Sequence, residues 1–168
     1  MGILNNTSDG LYSTVAVLYR TLAQRGPMPM ESLVDLCSIG ADSSDAHISL
    51  NRWRELGLFE SPDGERVRIA PAHAPARKLD DIGLTEHLRR AALRVSMTTI
   101  NTANPWSNEG ATDFARGIAW WLAQDVYTLP RALADLQGLE LAQVADPQRQ
   151  IVQNEVRAGR LREWAVFL

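Results

Sequence analysis

One change of period constrains this chain more than any other feature in it. Three segments in which apolar residues return every three or four positions give way, between Leu58 and Ile69, to residues that alternate. The spacing of Leu11, Val15, Leu18 and Leu22 predicts a first helix, with Ser8 or Asp9 as its cap and Gly26–Pro27 as its stop. After the connector Pro27, Met28, Pro29, the stripe Met30, Leu33, Val34, Cys37 predicts a shorter helix over Met30–Ser38, ended near Gly40. Asp42, Ser43 and Ser44 offer capping oxygens to a third helix that runs to Leu56 and closes at Gly57. Leu58–Ser61 then reads as a strand, Pro62–Gly64 as a turn, and Arg66, Val67, Arg68, Ile69 as a returning strand with alternating faces.

Three short helices followed by a hairpin is the order of a winged helix-turn-helix, in which the third helix can enter a major groove while the hairpin touches the backbone. The expected fold is therefore mostly α with a small β-hairpin, the winged unit occupying residues 1–71. Residues 71–83, with Pro71, Pro75, Asp80 and Asp81, read as a linker. Thr85 is the expected cap of a helix reaching about Ile100, with Leu88, Ala91, Ala92 and Val95 inward and Arg89, Arg90 and Arg94 outward. Asn101–Glu109 reads as a loop, so residues 72–109 form a linker and helix. Residues 110–168 are expected to be helical, from Thr112 to about Asp125, over Pro130–Leu136, and over Gln148–Leu168 with a break near Gly159. That order, and the echo of Arg52-Trp53-Arg54-Glu55-Leu56 in Leu161-Arg162-Glu163-Trp164, predicts an incomplete second winged-helix-like unit. The apolar run Trp164–Leu168 has no capping residue or polar tail after it, and it reads as a point within a longer protein.

Composition narrows the function classes. The chain has 168 residues, 45% hydrophobic and 22% charged, enough to bury a core in one domain or two small ones. No run approaches the ~20 apolar residues of a membrane span, and Met1–Asp9 lacks the order of a signal peptide, so a cytoplasmic location and no membrane partner are expected. The single cysteine, Cys37, excludes an internal disulfide. A net charge of −3 counts against a dedicated nucleic-acid binder, but all basic residues except Lys78 are arginines, whose planar forks suit guanine and phosphate. A GC-rich genome would give the same bias.

Catalysis has little support: there is no Gly-rich phosphate loop, no His or Cys pair at metal spacing, and no nucleophile beside a base. A metal site built from His73 and His87 would need an additional carboxylate. The expectation is a non-enzyme without cofactor, metal or small-molecule substrate. At helical spacing Ala46, Leu50 and Trp53 turn inward, whereas Ser44, His47, Ile48, Asn51 and Arg52 turn outward. Ser43 and Ser44 could donate to phosphate and Asn51 could pair with adenine, while Asp45 and Glu55 oppose this. Arg66 and Arg68 should project to one side of the hairpin, where Asp63 and Glu65 could instead neutralise them. The candidate double-stranded DNA contacts are therefore Ser43, Ser44, His47, Asn51, Arg52, Arg66 and Arg68.

The opening Gly2-Ile3-Leu4-Asn5 through Ser8-Asp9-Gly10-Leu11, with Asn51-Arg52-Trp53 and Leu56-Gly57-Leu58-Phe59, resembles the start of the DpdG family. Those proteins are encoded in bacterial islands that insert 7-deazaguanine derivatives into DNA and restrict DNA lacking them. The resemblance covers about the first seventy residues and carries no catalytic residues over. It implies an accessory component of a phage-defence or DNA-restriction complex, with other defence-complex subunits as partners. Two further readings stay open: a protein-interaction module that docks on partner subunits without touching DNA, and a transcriptional repressor acting as a symmetric dimer.

Overall fold

The computed structural model describes residues 3–5, 12–38, 43–98, 104, 106, 110–125 and 127–168. Expectations for Ser8, Asp9, Leu11, Gly40 and Asp42, for most of the 101–109 loop and for the end of the fourth helix near Ile100 lie outside them. The protein is mostly helical with a small antiparallel sheet. In chain order the elements are α1 (Tyr12–Arg25), β1 (Met28–Pro29), α2 (Met30–Cys37), α3 (Ser44–Glu55), β2 (Phe59–Glu60), β3 (Arg66–Ile69), α4 (Asp81–Ser96), α5 (Thr112–Leu122), α6 (Leu133–Gln143) and α7 (Glu155–Phe167). Among the described residues there are also three 3₁₀ turns, Ile3–Asn5, Pro71–His73 and Pro147–Arg149.

The helical stripes become packing faces. Val15, Leu18, Tyr19 and Leu22 are the buried side of α1, which lies against α2, α3 and α4. Leu33, Val34 and Cys37 of α2, and Ala46, Ser49, Leu50 and Trp53 of α3, close the same core. The end of α3 shows why the sequence reads Leu-Gly-Leu. Gly57 takes φ +89°, its N–H donates to the Arg54 carbonyl at 3.0 Å, and the Leu58 N–H donates to the Trp53 carbonyl at 2.9 Å. That is a Schellman stop, and the buried Leu58 and Trp53 supply its apolar contact.

Several boundaries differ from expectation. The connector after α1 contributes a strand: β1 pairs antiparallel with β3 (Met28 opposite Val67, Pro29 opposite Arg66), β2 pairs with β3 (Phe59 opposite Ile69, Glu60 opposite Arg68), and the order is β1-β3-β2. A two-residue strand has no period to read, and Pro29 fits it because the strand is at the sheet edge. β2 is shorter than Leu58–Ser61 because Leu58 is held by the Schellman stop. Ser43 precedes α3 but makes no side-chain capping bond. The linker shortens as α4 begins at Asp81, where the Asp80 carboxylate accepts the Gly83 N–H at 2.8 Å; Thr85 instead donates its hydroxyl to the Asp81 carbonyl. α6 starts and ends later than Pro130–Leu136. The last helix begins only at Glu155, capped by Asn154 on the Arg157 N–H at 2.9 Å, and passes Gly159 without a break.

A single apolar cluster runs from Ile3 and Leu4 through α1–α4 and on to Trp164 and Phe167 of α7. Trp164 is its aromatic hub, with ring centroids 5.5 Å from Trp53, 5.2 Å from Phe114, 5.6 Å from Phe167 and 6.3 Å from Tyr12. A smaller cluster, Leu136, Val152 and Ala158, lies under α6. No helix among the described residues is long and apolar enough to cross a membrane.

Candidate nucleic-acid interface

α3 and the β2–β3 hairpin place the candidate residues. With Ala46, Leu50 and Trp53 inward, Ser44 and Ile48 are exposed and His47, Asn51 and Arg52 are half-buried on the outer side of α3. Ser43 is exposed just before the first turn. Asn51 Oδ1 accepts from Arg54 Nη1 at 3.2 Å, and Arg52 Nη1 reaches Glu55 Oε2 at 2.9 Å, so both outward groups of the last turns already have partners on their own helix.

On β3, Val67 and Ile69 face the core and Arg66 and Arg68 the other side. The hairpin turns at Gly64, at φ +77°, whose N–H donates to the Ser61 carbonyl at 3.1 Å. Asp63 Oδ1 accepts the N–H groups of Arg66 at 2.8 Å and Glu65 at 3.0 Å, and these bonds hold its carboxyl below the usual range. Asp63 thus braces the turn and does not neutralise an arginine by direct contact. Arg66 Nη2 donates to the Pro27 carbonyl at 2.9 Å. Arg68 sits opposite Glu60 in the ladder and places Nε 2.7 Å and Nη2 2.6 Å from its Oε1.

Between the last turn of α3 and β2 lies an open cleft of about 580 Å³, lined among others by Asn51, Arg54, Glu55, Glu60 and Ser61. Two carboxylates against one guanidinium give its walls a negative balance. Over residues 43–69 four basic and five acidic side chains leave a net charge of −1.

Sequence reasoning missed four buried or half-buried polar groups. Asp113, on α5, accepts the N–H groups of Ile3 at 3.0 Å and Leu4 at 2.9 Å, with Arg157 Nη2 at 3.9 Å. Glu140 holds the N–H groups of Ile151 and Val152 at 2.6 and 2.7 Å in the same way. Each is a carboxylate clamping two successive amides, and a carboxylate in a helical stretch gives no hint of burial beforehand. Tyr19 and His87 form the third feature: the Tyr19 hydroxyl lies 2.7 Å from the His73 carbonyl and 2.7 Å from His87 Nδ1. A carbonyl only accepts, so the hydroxyl donates to it and His87 donates from Nδ1. His73 and His87 therefore meet at a tyrosine, and among the described residues no group of three or more His, Cys, Asp or Glu is placed to hold a metal.

A family model described as DpdG-like matches residues 1–168, the whole chain given. No curated protein and no solved structure matches it.

Proposed function

The chain belongs to the DpdG-like family, and we propose that it is a non-catalytic component of a bacterial DNA-modification and restriction complex that contacts duplex DNA through α3 and the β2–β3 hairpin. The observation that carries the reading is the placement of Arg66 and Arg68 together on the outer side of β3, within the order α1-β1-α2-α3-β2-β3 and its β1-β3-β2 sheet. In a winged helix this puts the arginines beside backbone phosphates while α3 lies in the major groove. Ser43 and Ser44 would then donate to phosphate from the first turn. His47, Asn51 and Arg52 would face base edges, Asn51 through the paired donor and acceptor of its amide.

The partners of these groups set the cost of binding. Arg68 exchanges Glu60 for phosphate, and such a solvent-reached pair holds its partner by only about 0.2–1 kcal/mol, whereas Arg52, with 14% of its side chain exposed, leaves Glu55 less readily. The exchange at Arg68 is thus cheap, but it returns little net affinity. Replacing Arg66 and Arg68 together with Ala tests the reading: duplex affinity should fall alike on every sequence, and the log–log salt slope should shrink by about 1 to 2. Unchanged affinity and slope would remove the hairpin from the DNA surface.

A second reading is favoured by the same ion pairs and by the negative cleft beneath α3: the face docks on a basic partner subunit, and Arg52 and Arg68 only brace it. Under that reading Asn51→Ala leaves duplex binding untouched, whereas base contact predicts a loss of about 1–3 kcal/mol of discrimination at one position.

A further inference from the structure

The positive charge of this chain is not on α3 and the hairpin. Residues 12–25 and 71–96 hold seven of the 17 basic and three of the 20 acidic side chains, net +4, so the remainder of the chain carries −7. The two stretches are one piece of structure. α1 packs on α4, Arg20 Nη2 donates to the Thr85 hydroxyl, Tyr19 ties to His73 and His87, and Arg94 Nη1 reaches the Ala72 carbonyl at 3.5 Å.

A groove of about 390 Å³ lies between the last turns of α1 and the segment entering α4, lined by Gln24, Arg77, Lys78, Leu79 and Leu84 among others. Arg77 and Lys78 are both exposed, and neither has an ion pair or hydrogen bond among the described residues. This separates them from Arg52 and Arg68, each held by a glutamate. A phosphate arriving at Arg77 or Lys78 displaces only counterions, whereas at Arg68 it must also displace Glu60. Of the nearby acids, Asp80 is turned onto the Gly83 N–H as the cap of α4, Asp81 is exposed in the first turn of that helix, and Glu86 pairs with Arg89 at 3.5 Å and Arg90 at 3.4 Å. Past the groove, Arg90 and Arg94 continue the basic side along α4, Arg90 with three quarters of its side chain exposed but paired with Glu86 at 3.4 Å, which a phosphate there must displace.

We propose that the groove between α1 and residues 75–79 is a second nucleic-acid contact, with Arg77 and Lys78 binding backbone phosphates and Arg90 and Arg94 extending the track along α4. The proposal rests on the reading that this chain contacts DNA, and it adds a face that the α3–hairpin reading does not use. Recognition here is by charge, so it should be indifferent to base sequence.

The test is an anisotropy titration of the full chain with a labelled duplex of roughly 20 base pairs, at about 50 and 200 mM salt. Arg77→Ala/Lys78→Ala is compared with Arg66→Ala/Arg68→Ala. The Arg77/Lys78 variant should bind roughly 5- to 10-fold more weakly at the lower salt, equally on unrelated duplexes, with a slope shallower by about 1 to 2 and an unchanged circular dichroism spectrum. Arg77→Lys/Lys78→Arg should restore binding. If the Arg77/Lys78 variant binds as wild type while the Arg66/Arg68 variant weakens, the second contact is overturned and the hairpin reading stands. The reverse pattern supports the second contact and removes the hairpin. Absence of wild-type binding at low salt overturns both, as does binding of polyglutamate in preference to duplex.

Discussion

Arg68 and Glu60 face each other across the β2–β3 ladder, and the guanidinium places two nitrogens within 2.7 Å of one carboxylate oxygen. The pairing neutralises Arg68 and leaves Arg66, bonded to the Pro27 carbonyl, as the cation on the outer side of β3. It also gives a direct test of the proposed DNA contact. Glu60→Gln leaves the ladder intact and removes the carboxylate that competes with phosphate for Arg68, so duplex binding should tighten by the worth of that pair, about 0.2–1 kcal/mol, with the salt slope little changed. A salt titration of this variant reads both quantities. An Arg68 that serves only to brace the sheet would give a variant with wild-type affinity and lower stability.

The clamp of Asp113 on Ile3 and Leu4 explains why those opening residues lie in the core, next to α5 and α7. Asp113→Ala leaves two buried amides and Arg157 without their carboxylate, and the cost should be about 3–5 kcal/mol. Asp113→Asn keeps one acceptor oxygen and should lose less. Urea unfolding of the two variants checks the order, and equal stabilities would mean that the clamp contributes nothing.

Trp164 joins the two ends of the chain by touching Trp53, Phe114, Phe167 and Tyr12 from a fully buried position. Trp164→Ala should destabilise by about 3–5 kcal/mol, whereas Trp164→Phe should cost less because most ring contacts survive. Thermal unfolding should show one transition moving as a whole. A variant in which α1–α3 keep the wild-type midpoint would show that this core is not shared.

Acid should weaken the tie between α1 and α4. Burial lowers both imidazoles below the ordinary value, helped at His73 by Arg94 and His87 and at His87 by Arg90 and Arg94. The unfolded chain therefore takes up these protons first as pH falls. The stabilisation is complete above the unfolded value of about 6.5 and is lost as pH drops through the depressed folded values. The Nδ1–H bond to Tyr19 survives protonation, so the loss comes from desolvation and arginine repulsion and not from a broken hydrogen bond. The urea midpoint should fall between pH of about 7.5 and 5.5, and His87→Asn should flatten that dependence. A midpoint equally steep in the variant would contradict it.

Local chemistry was readable where it decided structure locally. The stripes of α1, α2 and α3, the glycine stop at Gly57 and the alternation of Arg66 to Ile69 each depend on neighbours within a turn or a pleat. β1 was not readable, because two residues become a strand only when β3 arrives from far along the chain. The start of α4 was missed because Asp80 and Thr85 both resemble caps, and only the chain path chooses between them. That Arg66 and Arg68 share a side followed from pleating; that Glu60 stands opposite Arg68 depended on a register set by the turn at Gly64. The buried clamps of Asp113 and Glu140 were invisible because their amides belong to other elements. Motifs that carry the family likeness have packing reasons here: Ile3 and Leu4 fill the core, and Leu56 to Phe59 stop a helix and begin a strand.

A salt titration of the wild-type protein tests most directly the proposal that this chain binds the backbone of duplex DNA. Affinity for unrelated duplexes should fall together between about 50 and 200 mM salt, with a log–log slope of about −2 to −4 for two to four phosphate contacts. Binding that is absent at the lower salt, or that does not change with salt, would contradict the account.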